Sequence, residues 1–404
     1  MYYLDFRYTL ENDVRQRVIE ISPKHFHRHA LSNIHMEHFL ELEHSNDQNG
    51  ILLVDTLQNI VNKGDEDRDL TCRYYGKQVA QFIRHYFLTK EWEEFKNREP
   101  SDQDIYQGLV MIAQWFQPLE SISLNRVQCD VLHIAMGTVD KLKETHPNHP
   151  IFQLEGDDIL VKNNLTEDRF GGGKNSMVIL DALNEFMFKQ SGFRGNTANY
   201  YNPANSFIDK VLQSRQGIPI TLCLLYKLVA KMLGVVTEAI NFPRHFLLKW
   251  VDTTNGKSYF IDTFRNGARK STIDIKDETD QNPEQYAIAK PMEIFQRMVR
   301  NLVTSAQIQE QETLSLQGSA FPLLKSALEL TKFIGGDFEY PGFPLCQIYL
   351  QMSINHREII QELDNHENWP VNLWFAGDNE HLKNQVRGLR RLVHVSTLLP
   401  FWGF

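Results

Sequence analysis

Cysteine is scarce in this chain. Four occur in 404 residues, at Cys72, Cys129, Cys223 and Cys346, and no two form a CxxC pair. That spacing excludes a disulfide framework and a zinc knuckle, and it predicts a reduced, intracellular protein, cytoplasmic or nuclear. Long apolar runs are also missing. The longest, Ile220 to Val236, is interrupted by Lys227 and Lys231, so no bilayer-spanning segment is expected. The start, Met1-Tyr2-Tyr3-Leu4-Asp5, has no basic region followed by an apolar core, so no secretory signal is read there. Basic charge is in deficit: Lys+Arg 42 against Asp+Glu 51 gives a net charge of −9. A nucleic-acid-binding surface normally shows as a basic excess, so no nucleic-acid partner is expected. Phe170-Gly171-Gly172-Gly173-Lys174 lacks the GxxxxGK spacing and the preceding strand of a phosphate loop, and reads as a flexible loop.

What is present describes an ordinary globular composition, 42% hydrophobic and 23% charged, which rules out disorder as the dominant state. Leu53, Leu57, Ile60 and Val61 recur at helical spacing, as do Tyr75, Val79, Phe82, Ile83 and Tyr86. Ile105 to Phe116 and Val127 to Leu142 read as two further helices. Residues 1–150 therefore form a helical block, and 151–174 a loop-rich linker. A core follows at 175–300. In it, Gly217-Ile218-Pro219 opens a strong helix, with proline in the first turn, where an amide hydrogen lacks a partner anyway. The period then switches to strands at Thr237–Phe242, Phe246–Val251 and Ser258–Ile261, with Asn255-Gly256 as a hairpin turn. Residues 301–404 return to helices of repeat-like character, through Leu324, Ala327, Leu328, then Leu345, Ile348, Tyr349, then Ile359, Ile360, Leu363, although no fixed period is clear. The expected fold class is α+β, mainly helical, with a small antiparallel sheet.

The helix–strand–strand segment carries the one constellation with chemistry in it. A thiol at a helix N-terminus is activated by the helix amides; a histidine can pair with it, and a carboxylate can orient the histidine. Here the order is the helix start at Pro219, then His245 on a following strand, then Asp262 on the next. Asn205-Ser206-Phe207, Arg215-Gln216-Gly217-Ile218-Pro219-Ile220-Thr221-Leu222, Leu225-Tyr226, Gly234, His245-Phe246-Leu247 and Ile261-Asp262 together resemble the SirB1-type transglutaminase-like domain. The wider run Asn241 to Trp250 resembles the F-box proteins that carry such a domain.

That resemblance implies an F-box binding the Skp1 adaptor of a ubiquitin ligase, a transglutaminase-like middle, helices and a YccV-like β domain. By its pattern Met1 falls after the F-box and Phe404 before the YccV-like domain, so Skp1 is expected as a partner only through an F-box outside this chain. It also implies a nucleophilic cysteine in a Gly-x-Cys frame, where this sequence has Pro219. The expected catalytic set is therefore empty: His245 and Asp262 are a vestigial pair, and Cys223, one turn beyond the slot, is the alternative nucleophile. Cys223 reads otherwise as a small buried apolar residue, and His245 as a structural histidine. His25, His27, His29, His35, His38 and His44 form an unusual cluster with no cysteine nearby and few carboxylates; it reads as a solvated stretch, and no metal or other cofactor is expected.

The functional expectation is a non-catalytic protein-binding module, like the substrate-recruiting part of an F-box-type ubiquitin ligase subunit, with the ubiquitylation substrate as protein partner. The alternatives are a cysteine-dependent hydrolase or acyltransferase using Cys223, His245 and Asp262, and a structural scaffold with no ligase link.

Overall fold

The structure is a computed structural model. It describes residues 13–14, 16–17, 51–62, 70–154, 159–160, 165–243, 245–313, 321–335, 342–351 and 387–391. In chain order its longer elements are α1 (Ile51–Asn62), α2 (Leu70–Lys96), α3 (Ile105–Phe116), α4 (Leu124–Thr145), α5 (Lys174–Asn184), β1 (Arg194–Gly195), α6 (Ile208–Ser214), β2 (Gln216–Gly217), α7 (Pro219–Met232), β3 (Glu238–Ile240), β4 (Leu247–Asp252), β5 (Lys257–Asp262), β6 (Ala268–Ser271), α8 (Thr272–Thr279), α9 (Pro291–Thr313), α10 (Phe321–Ile334) and α11 (Gly342–Gln351). The protein is mainly helical α+β. Its contacts divide it into two units.

One unit comprises Met1–Asn97, Gln114–Ser121 and Glu310–Phe404. Leu53, Val54 and Leu57 of α1 pack against Val79, Ala80, Ile83 and Phe87 of α2, joining the two helical faces that the spacing predicts. α10 packs on α2 and on α11. His85 lies flat on the Trp115 indole, with ring centroids 4.0 Å apart, and its Nε2 is 2.8 Å from the Trp115 carbonyl oxygen. The indole N–H of Trp115 donates to the Ser326 carbonyl at 2.9 Å, tying that stack to α10. Burial pushes the His85 imidazole down to about 4. The repeat positions Ile359, Ile360 and Leu363 lie outside the described residues, as does the His25–His44 cluster.

The other unit comprises Arg98–Ala113 and Ile122–Gln309. Its centre is α7, with 11 of its 14 residues buried. A helix apolar on all sides needs cover all round. α4, α5 and α6 supply part of it, and β3, β4 and the turns at Thr263–Arg265 and Pro203–Ser206 the rest. Of its two lysines, Lys227 donates its ammonium to the Thr237 carbonyl, and burial lowers it to about 8.

The sheet runs β3-β4-β5-β6, antiparallel throughout, with Leu248 opposite Ile261 and Trp250 opposite Tyr259. Leu247 and Phe260 join Ile240, Phe242 and Ile275 of α8 in a second apolar cluster. The β4–β5 hairpin turns at Asn255-Gly256, where Gly256 has a φ of 68° that favours glycine. Asp252 closes that turn, accepting from the Thr254 amide at 3.0 Å and the Asn255 side chain at 2.8 Å.

Candidate functional site

The helix start falls at Pro219, as proline's fixed φ and missing N–H favour. Ile218, its N-cap, is extended and offers no capping side chain. The chain leading into it is held by neighbours instead. β1 and β2 pair in parallel, Arg194 with Gln216 and Gly195 with Gly217. The Ile218 amide donates to the carbonyl of buried Asn205 at 3.4 Å. The Asn205 side-chain amide donates to the carbonyls of Asn199 at 2.7 Å and Tyr200 at 3.1 Å, and its oxygen accepts from Asn196 at 3.0 Å. This polar knot fixes the 196–205 loop beside the helix start.

Cys223 is one turn deeper and fully buried. Among the described residues, its sulfur has two hydrogen-bond contacts: the Phe246 carbonyl at 3.4 Å and the Thr263 hydroxyl at 3.1 Å. Burial pushes its thiol up to about 12, against the contrary effect of the Thr263 contact and with a further push from Asp262. Thr221, two residues after Pro219, is buried with its hydroxyl unpartnered among the described residues.

His245 does not lie on a strand. It sits in a bend two residues before β4. The Pro243 ring and the pinned Asn241–Phe242 stretch delay the ladder, which starts at Leu247. The pin is Arg297 of α9, which donates to the Asn241 side chain and, at 2.8 Å, to the Phe242 carbonyl. Its guanidinium carbon also stands 5.4 Å from the centre of the Phe246 ring.

Asp262 is the last residue of β5 and only 2% exposed. Its Oδ1 is 2.9 Å from His245 Nε2, whose side chain is 31% exposed. The ring is turned so that this close approach lacks the alignment of a hydrogen bond. Oδ1 also accepts from the Arg265 amide at 3.2 Å, and Oδ2 lies 3.8 Å from Arg265 Nε and 3.9 Å from Lys270 Nζ. Burial alone would raise this carboxyl. The contacts with His245, Arg265 and Lys270 outweigh it and hold the group below its ordinary value.

The structure thus brings His245 and Asp262 together, places Pro219 at the first helical position, and gives Cys223 to Thr263 and Phe246. Sequence reasoning missed Thr263, Arg297 and Lys270. Thr263 directly follows Asp262, and that adjacency was the available signal; Arg297 offered none, since it reaches the site from α9, and Lys270 comes from β6, the strand beside β5, which has no pattern of its own. Among the described residues no three His, Cys, Asp or Glu side chains are grouped to hold a metal ion, and no helix is long and apolar enough to cross a membrane.

Residues 158–300 match the family model described as the transglutaminase-like superfamily. The chain is 29% identical to F-box only protein 21 of Mus musculus and of Homo sapiens over 309 residues, covering 72% of this chain and 46% of the relative. It thus spans about half the length of those relatives. A UPF0162 protein of Xylella fastidiosa is 29% identical over 132 residues, 30% of this chain and 46% of the relative. No solved structure matches.

Proposed function

We propose that this transglutaminase-like chain is a non-catalytic protein-binding module, similar in role to the substrate-recruiting part of an F-box-type ubiquitin ligase subunit. One observation carries the reading. Pro219 stands at the start of α7, where the resemblance implies a nucleophile, and the nearest thiol, Cys223, is buried and engaged with Thr263 and Phe246. A nucleophile needs both access and a base within reach. Cys223 has neither among its contacts. The His245–Asp262 pair then serves as a structural link between the bend before β4 and the end of β5. Similarity to F-box only protein 21 over 309 residues supports a protein as the ligand, bound for ubiquitylation. We take residues 175–300 as the core that presents the binding surface and 301–404 as its helical flank.

A second reading, a cysteine-dependent hydrolase or acyltransferase, draws on the 2.9 Å approach of His245 to Asp262. One experiment separates the two. The folded wild type and its Cys223→Ser variant are treated with an electrophilic thiol probe and with thioester and amide substrates. The binding reading expects no turnover and no difference between the proteins. Turnover lost in Cys223→Ser would establish the enzyme.

A further inference from the structure

We infer that the surface beside the start of α7 is a docking site for an acidic segment of a protein partner. The inference rests on the protein-binding reading above and names the chemistry of the ligand.

A run of contacts joins the surface into one patch. Arg194 of β1 lies against the chain just before β2, its amide donating to the Arg215 carbonyl at 2.9 Å. The next residue, Gly195, faces the Phe264 ring so closely that a Cβ there would stand 2.4 Å from it. The Phe264 ring meets Tyr200 edge to face at 6.0 Å, and Tyr200 meets Tyr201 in the same way at 5.2 Å. Tyr200 is 36% exposed and Tyr201 45%. Arg194, Arg215 and Arg265 are exposed. The result is an aromatic ledge with guanidinium groups along its rim.

The charge balance selects the partner. The whole chain carries −9, yet this rim carries three guanidinium groups. Of the carboxylates near it, Asp262 is buried and Glu278 is shared between Arg265 at 3.4 Å and Lys270 at 2.5 Å. Arg215 uses one nitrogen on the Ser191 carbonyl at 2.7 Å and keeps further donors. Arg194 has no side-chain partner among the described residues. A guanidinium matches a carboxylate bidentately, and tyrosine beside arginine is the composition of binding hot spots. The polar knot at Asn205 holds the Tyr200 backbone in place, so little ordering cost falls on binding. A nucleic acid fits less well: three cations neutralise few phosphates, and the chain lacks the basic excess of a nucleic-acid surface.

Fluorescence anisotropy of the full chain at low salt tests this. The probes are a fluorescein-labelled peptide alternating glutamate and leucine, the same peptide with lysine for glutamate, and a labelled single-stranded oligothymidylate. The expected result is binding of the glutamate peptide in preference to both others, weakened by added salt. Arg194→Glu and Tyr201→Ala should each weaken it about fivefold or more with unchanged melting temperature. Equal affinity for the two peptides, indifference to Arg194→Glu, or tighter binding of the oligonucleotide would each overturn the inference. A failure here leaves the thiol assay as it was. Turnover dependent on Cys223 would overturn the non-catalytic reading without touching the peptide result.

Discussion

Cys223 offers the most direct test of how the site works. Its ordinary thiol value of 9.0 is raised to about 12 by full burial. The difference, 12 − 9 = 3 units, lowers the thiolate fraction near neutral pH about thousandfold, and only the thiolate attacks an electrophile. Burial adds a second barrier, because a reagent reaches the sulfur only when the surrounding core opens. Cys129, exposed on α4, serves as the internal control. Iodoacetamide labelling of the native protein, followed by peptide mapping, should modify Cys129 at least about a thousandfold faster than Cys223. Adding guanidinium should bring the two rates together. Replacing His245 by alanine should leave the native Cys223 rate unchanged, since the sulfur's contacts are with Thr263 and Phe246. Labelling of native Cys223 at the Cys129 rate, with a loss of reactivity in His245→Ala, would refute the reasoning and make the pair a working base.

Four further outcomes are expected. Asp262→Ala removes the buried carboxylate that His245, the Arg265 amide and Lys270 share and should cost about 2–4 kcal/mol in chemical denaturation; a loss under about 0.5 kcal/mol would contradict its linking role. Because the folded Asp262 value is lowered, its contribution is present above the unfolded value near 3.8 and is lost as pH falls through the folded one, so Asp262→Ala should show a weaker acid loss. Leu328→Asp, on the buried face of α10, should cost about 2–5 kcal/mol, checked by the fall in melting temperature. His85, held near 4 against 6.5 when unfolded, stays neutral in the fold while the unfolded chain takes up a proton, so stability should decline as pH falls from about 6.5 to about 4, by at most about 3 kcal/mol. Urea unfolding at pH 7 and pH 5 measures that decline, and His85→Gln should flatten it.

Much of this was legible along the chain. Apolar spacing marked α1, α2 and α7, Asn255-Gly256 marked the hairpin, and the order Pro219, His245, Asp262 marked the site. What escaped was short or non-local. β6 is four residues, Ala-Arg-Lys-Ser, with no apolar alternation to betray it, and it is a strand because Phe260 and Ile261 already pair with its backbone. β1 and β2 are two residues each, below any periodic signal. The π-helical turn at Glu185–Gln190 continues α5 with no breaker in its sequence, so it reads as one helix. His245 reads as strand because it abuts Phe246-Leu247-Leu248, and only the tether from Arg297, over fifty residues away, shows where the ladder begins. The Cys223–Thr263 contact spans 40 residues and joins a helix to a strand end, beyond the reach of any local pattern.

The enclosure of α7 has a consequence for how such a protein can diversify. Eleven of its fourteen residues are committed to packing, so nearly any change along it carries a stability cost. The loops that flank its start, 194–203 and 264–267, carry exposed Arg194, Tyr200, Tyr201 and Arg265. Support and the proposed recognition thus fall to different stretches of sequence. Grafting those two loops from one relative onto another should transplant ligand preference while the recipient keeps its melting temperature, much as antibody loops are exchanged on a fixed framework.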